Sequence, residues 1–343
     1  MTGWETLGAV PLARLVEARL QLHWAAQPAA AVGKLLVPHQ PDYGEQSFSW
    51  SHGARCLAQG LVTAPTPCRA ALRPSPPALL ILAEDDRVLR QLPLGGRTLD
   101  EAYAWLGTQL EQLLERQLPG KLDRPGPEGL PAHAVAAGAR FDDADDEAFA
   151  ELGRLFANAD RALAAWAGTV AGASAVRCWP HHFDIATLAP AGPLATAPPP
   201  ELADMMPEVP EVPESPQQPR EPEAAGADPE AAGADPEARC TLGVGLVPGD
   251  ESHPEPYFYV TPWPYPEDPE LTPLAAGGTW HTAGWLGAVL AAPGFMGARP
   301  PAVQAATVEE FITSATAACR RLLAAARSGR RAAPAATTRG ADA

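Results

Sequence analysis

The sequence predicts an α+β fold of two similar lobes, each an α-β-β-β-β-α unit whose antiparallel sheet is covered by helices. Three observations predict it. Apolar residues recur at spacings of three and four in several segments, the period of an amphipathic helix. Between them lie short runs rich in Val, Leu, Ile, Tyr and Phe, bounded by Gly, Pro, Asp and Ser, which is the pattern of strands. The order helix, strands, helix then occurs twice along the 343 residues, which suggests an internal duplication.

Taken in order, the first helix starts near Pro11, a residue suited to a first helical turn, and carries Leu12, Leu15, Val16, Leu20 and Trp24. Strands are expected at about 52–63, 68–73, 78–84 and 87–92. Thr98-Leu99-Asp100-Glu101 then opens the closing helix as a capping box, in which hydroxyl and carboxylate satisfy each other's free backbone N–H groups. In the second half Asp142, Asp143, Asp145 and Asp146 sit at the positive end of a helix over 146–167. Its apolar stripe is Phe149, Leu152, Phe156, Ala159, Leu163 and Trp166. Strands follow at about 175–188, 241–247, 256–263 and 284–291. A second capping box is read at Thr307-Val308-Glu309-Glu310, and both closing helices reach a Leu-Leu pair at the same offset, Leu113-Leu114 and Leu322-Leu323.

Composition sets the boundaries. Between Pro190 and Arg239, 13 of 50 residues are proline and 11 acids face 2 arginines, a net charge of −9 out of −16 for the chain. The segment also repeats Glu-Ala-Ala-Gly-Ala-Asp-Pro at 223–229 and 230–236. Such a stretch buries too little apolar area to offset chain entropy and is read as a disordered acidic insert, 190–239. The first lobe is thus 1–125, the second is 126–189 with 240–326, and 327–343 is an Ala- and Arg-rich disordered tail.

The acidic balance argues against nucleic acid and anionic membranes as partners. No apolar run approaches the roughly 20 residues of a membrane span, and the first residues lack the basic start of a signal peptide, so a cytoplasmic protein is expected. Five scattered cysteines (Cys56, Cys68, Cys178, Cys240 and Cys319) with no C-x-x-C pair read as reduced, packed thiols. Leu242-Gly243-Val244-Gly245 has no helix after it and is no nucleotide loop, and Val247-Pro248-Gly249-Asp250 reads as a turn. No motif specifies a cofactor, and nothing fixes an oligomeric state.

Chemistry concentrates in Arg177-Cys178-Trp179-Pro180-His181-His182-Phe183-Asp184 and in the aromatic run from Tyr257 to Trp263. On one continuous strand, Trp179, His181, Phe183 and Ile185 would share the face under the helices. His182 and Asp184 would share the other, about 7 Å apart. Tyr257, Tyr259, Thr261 and Trp263 alternate in the same sense against Phe258 and Val260.

Three readings of that face stay open: a lobe interface with a buried His–Asp pair, a pocket for a small organic ligand, or a metal or acid–base centre. The ligand reading uses Tyr257, Tyr259, Trp263, Trp280 and His23. The last uses His182, Asp184 and His281, as catalytic groups or as metal ligands. His23 falls in the apolar stripe of the first helix, where a core hydrogen bond competes with a ligand role.

The chain resembles an uncharacterised bacterial family known as a domain of unknown function. The resemblance rests on Leu22-His23-Trp24-Ala25-Ala26-Gln27 leading to Gly33-Lys34, on Gln59 to Thr63, on Cys178 to Asp184, on Gly243 to Ser252, on Glu255 to Val260 and on Trp280-His281-Thr282. It implies no particular reaction. The expectation is a protein that binds a small molecule on the polar-aromatic face of the second lobe. A metal-assisted or acid–base enzyme of hydrolase type and an interaction protein are the alternatives.

Overall fold

The computed structural model describes residues 3–126, 129–192 and 240–332. The fold is α+β, with two antiparallel sheets flanked by helices. The first lobe runs α1 (Leu12–Leu36), β1 (Ser49–Ser51), β2 (Cys56–Ala58), β3 (Cys68–Arg73), β4 (Ala78–Ala83), β5 (Val88–Pro93) and α2 (Leu99–Leu114). The second runs α3 (Asp146–Ala167), β6 (Arg177–Trp179), β7 (Asp184–Pro190), β8 (Thr241–Val247), β9 (Tyr257–Trp263), β10 (Thr279–His281), β11 (Gly287–Ala291), the short α4 (Ala292–Phe295) and α5 (Pro301–Ala332). The sheets hold five and six strands, not four each, in the orders β1-β2-β3-β4-β5 and β10-β11-β9-β8-β7-β6.

Two of the extra strands arise where expected single strands break. Residues 52–55 are a turn, with Arg55 at φ 51° and the Ser51 hydroxyl accepting from Ala54 N–H (3.0 Å). The chain reverses again at 180–183 inside the expected strand 175–188. The last expected strand, 284–291, is found as β11, and a further strand ahead of it, β10, pairs with it as a hairpin. The capping box at Thr98 forms, with hydroxyl and carboxylate each bonded to the other's backbone (3.2 and 2.8 Å). The one expected at Thr307 does not. Pro301 starts that helix six residues earlier, so Thr307 lies inside it and donates to the Val303 carbonyl (2.9 Å).

Residues 190–192 belong to the fold rather than to the acidic insert: Pro190 ends β7, and Ala191 N–H donates to the Cys240 carbonyl (2.8 Å). Likewise α5 continues through 327–332, into the segment read as tail. The disorder expected for 193–239 and 333–343 lies outside the described residues.

One face of each sheet packs under the helices in a single shared core. Leu57, Leu72, Leu79 and Ile81 contribute from the first lobe, and Leu242, Val244, Leu246, Phe258 and Val260 from the second. The two sheets also meet edge to edge, since Phe48 and Cys178 exchange both backbone hydrogen bonds (2.9 and 2.8 Å). All five cysteines are buried and unpaired.

Each lobe is completed by the segment that leads into the other. Residues 3–10, ahead of α1, lie on the second lobe. There the buried carboxamide of Asn158 pairs with both backbone groups of Glu5 (2.9 and 2.7 Å), and that of Gln304 with both of Leu7 (2.9 and 2.7 Å). Residues 139–145, ahead of α3, lie on the first. Phe141 bonds Arg97 and Gly96 (2.8 and 2.9 Å), and Asp142 N–H donates to the Gln21 carboxamide (2.7 Å).

Candidate functional site

The reversal between β6 and β7 organises the site. Phe183 adopts the left-handed conformation (φ 56°), its N–H donates to the Trp179 carbonyl (2.7 Å), and its ring is buried. That ring stacks on His23 (5.1 Å between centroids, 11° between planes) and meets Phe156 edge-on (5.2 Å). The Pro180 carbonyl at the turn accepts from His23 Nε2 (2.9 Å) and from the Gln27 carboxamide (2.8 Å). His23 is thus a core partner of the hairpin, not part of a ligand face. Burial lowers its pKa to about 3, so it stays neutral and donates from Nε2.

The continuous-strand picture fails for the two adjacent histidines. Because residues 180–183 form the turn, His181 and His182 both project to the surface, with rings 4.3 Å apart. The picture holds for Asp184. As the first residue of β7 it points to the sheet face away from the helices, and Tyr259 comes to meet it, its hydroxyl donating to Asp184 Oδ2 (2.8 Å).

That bond spans a strand. Asp184 is on β7 and Tyr259 on β9, with Gly245 of β8 paired opposite Tyr259. A Cβ at Gly245 would stand 2.7 Å from the Tyr259 ring, so the phenol lies across the bare backbone of β8 to reach the carboxyl. The Gly-Val-Gly run thus clears a path for a side chain.

Burial pushes the Asp184 carboxyl above the usual carboxylate range, against the opposing pull of a charge on His182 and of the Tyr259 hydroxyl. Burial, and then Asp184 itself, push the Tyr259 phenol well up. Asp184 Oδ1 is buried and has no hydrogen-bond partner among the described residues.

Next to this pair, the turn after β8 folds over the sheet. Tyr257 donates to Asp250 Oδ2 (2.5 Å), Asp250 Oδ1 accepts from His253 N–H (2.7 Å), and Arg19 of α1 donates to the Gly249 carbonyl (2.8 Å). The rings then close a belt: Tyr257 to His253 (4.9 Å), His253 to His281 (5.2 Å), His281 to Trp285 (4.4 Å), Trp285 to Tyr259 and Tyr259 to Tyr257 (6.4 Å each). His253 Nδ1 is a second buried atom at this site with no partner among the described residues.

Of the residues singled out from sequence, Asp184, Tyr257, Tyr259 and His281 share this outer face. His281 stands across the belt from Asp184, and its Nε2 donates to the Ala283 carbonyl (2.7 Å). Among the described residues no three His, Cys, Asp or Glu side chains are grouped to hold a metal ion, so His182, Asp184 and His281 do not converge as a three-ligand centre. Trp263 reaches the outer face but is 52% exposed, edge-on to Tyr265 (5.3 Å). Trp280 turns the other way. It pairs with Ala288 on the helix side, packs against the core and donates to the Thr272 carbonyl (2.8 Å).

Sequence reasoning missed Asp250, His253 and Trp285. Asp250 sat in a turn recognised only as a turn. Its signal is position: a carboxylate seven residues before a strand tyrosine, in a loop short enough to fold back. No family model, curated protein or solved structure matches this chain.

Proposed function

We propose that the chain binds a small organic ligand over the outer face of the second sheet, anchored on Asp184. One observation carries this. In a network where Tyr257, Tyr259, Asp250 and His281 all have partners, the buried Asp184 Oδ1 has none among the described residues, and a buried polar atom left unpaired costs about 1–3 kcal/mol. A ligand donor at that oxygen removes the cost, and the ring belt offers the flat apolar area that such sites use.

The segments that carry the resemblance to the uncharacterised bacterial family support this reading. His23 and Gln27, the 178–184 run, the 243–252 run and Tyr257 to Tyr259 meet at one hairpin and one sheet face. Native mass spectrometry of the freshly purified chain tests the proposal. A small-molecule adduct is expected in wild type and absent in Asp184→Asn. No adduct in either, and no stabilisation of wild type by any member of a metabolite panel, rejects it.

An acid–base enzyme is the second reading. It is favoured by the raised pKa of the buried Asp184, since strongly shifted titratable groups are common at catalytic sites. An interaction protein with no small-molecule site would show neither adduct nor turnover. Among the described residues no helix is long and apolar enough to cross a membrane, and the five free thiols suit the reducing cytoplasm. We also infer that the lobes arose by duplication. The repeated helix–strands–helix order and the exchange of leading segments support it.

A further inference from the structure

We infer that residues 249–254, in the loop joining β8 to β9, form a lid over Asp184 that swings away to admit a ligand. The inference rests on the ligand reading above and supplies what that reading needs. Asp184 Oδ1 is buried with the loop in place, so a ligand reaches it only after something moves.

Both feet of the loop stand beside Asp184. Antiparallel register pairs Ile185 with Leu246, and Val247, the next residue of β8, with Tyr257. One step back along β7 therefore sets Asp184 in the row of Val247 and Tyr257, on the outer face. Burial, then the charges of Asp250 and Asp184, push the Tyr257 phenol up, so its hydroxyl feels the carboxylate of the loop and that of the sheet together.

The loop is built to move as one piece. Asp250 N–H donates to the His253 carbonyl (2.8 Å), and His253 N–H returns a bond to Asp250 Oδ1 (2.7 Å). Outward, the piece rests on clasps that each join it to a different element. Tyr257 of β9 donates to Asp250 Oδ2 (2.5 Å), Arg19 of α1 donates to the Gly249 carbonyl (2.8 Å), and the His253 ring meets His281 of β10 (5.2 Å). Its tip, Glu251 and Ser252, is exposed, while Pro256 behind it is fixed, its carbonyl accepting from Ala292 N–H (2.8 Å). Polar clasps around an exposed tip mark the low local stability from which lids are drawn. Gly249 is the hinge. Its φ of 122° suits glycine, and a Cβ there would stand 2.3 Å from the Pro254 carbonyl oxygen, so closure depends on bare backbone.

Carbodiimide coupling of carboxyl groups to glycine ethyl ester, mapped by mass spectrometry on the full-length chain, tests the lid. Glu151, fully buried in the same lobe, reports global unfolding. Asp184 is expected to label faster than Glu151 in wild type. Its rate should rise several-fold in Tyr257→Phe, which loses the clasp to Asp250, and in Gly249→Ala, which props the hinge, with the Glu151 rate unchanged. An Asp184 rate that follows Glu151 in all three proteins, or that neither substitution raises, overturns the lid. If Gly249→Ala also speeds Glu151, Tyr257→Phe alone decides. The ligand reading is judged apart from this: an adduct in wild type with labelling indifferent to the loop sinks the lid alone, and loop-dependent labelling without any adduct sinks the ligand alone.

Discussion

The outer faces of the two sheets occupy equivalent positions in the two lobes and are built from opposite materials. On the first sheet the face carries Cys56, Ala58, Ala71, Ala78, Leu80 and Leu82, all buried, with an ion pair of Arg69 and Asp86 at its side. In the small apolar cluster on the second, only Val247 and Val289 are aliphatic and the rest is Tyr257, Tyr259 and Trp285, with Asp184 bonded to it. A sheet face that only has to exclude water is made from methyl groups. A carboxylate kept buried two strands from its phenol, with a glycine spared to let them meet, adds desolvation cost without adding core, and such groups recur at binding sites.

The comparison can be broken in four places. Leu80→Ala on the first face should cost about 2–5 kcal/mol in urea unfolding, the range for a buried leucine, and leave any ligand adduct of the second lobe intact. A loss of the adduct would mean that the lobes are not functionally distinct. Gly245→Val on the second face should cost about 1–3 kcal/mol by overpacking. Because it displaces the Tyr259 ring, it should also change the tyrosine signals in near-ultraviolet circular dichroism, and unchanged signals would show that the ring does not lie across β8.

Tyr259→Phe should cost a similar or smaller amount, about 1–2 kcal/mol, by leaving both Asp184 oxygens unpaired. Asp184→Asn should move stability at neutral pH by less than about 1 kcal/mol while abolishing the adduct, since the variant removes a buried charge along with a hydrogen bond.

The same two lobes give stability opposite dependences on pH. Asp184 has a raised pKa in the folded state, so the folded protein binds more protons than the unfolded chain above the ordinary carboxylate range near 4. Stability present below that pH is lost as pH rises through the folded pKa. His23 is depressed from 6.5 to about 3, so its contribution is present above 6.5 and lost as pH falls toward 3. Urea midpoints across pH should therefore show a shallower decline as pH rises from about 4 in Asp184→Asn and a shallower acid decline in His23→Gln. Parallel curves for wild type and variants would contradict the burial of these groups.

The regular parts of the fold are legible in the sequence because burial on one face writes a period. The strands 68–73 and 241–247 and the helix 146–167 are found where alternation and three-four spacing place them. What escapes is a reversal whose left-handed position carries no glycine or asparagine. Phe183 takes a left-handed conformation that glycine or asparagine usually marks, and it does so because His23 and Phe156 hold its ring, a tertiary cause invisible along the chain.

Asp184 and Tyr259 are legible as face-mates because parity survives from Asp184 onward, whereas Trp280 sits on a strand outside the expected range. The two capping boxes read alike. Only the Pro300-Pro301 pair upstream separates the one that starts a helix from the one inside it.

The exchanged leading segments have a consequence for how the molecule comes apart. With Glu5 and Leu7 clasped by Asn158 and Gln304, and Phe141 held at Gly96 and Arg97, unfolding either lobe strips the other of a buried strip of backbone. The protein should therefore melt in one cooperative step despite its two sheets. A chain cut near residue 127 would yield halves that acquire structure only when mixed.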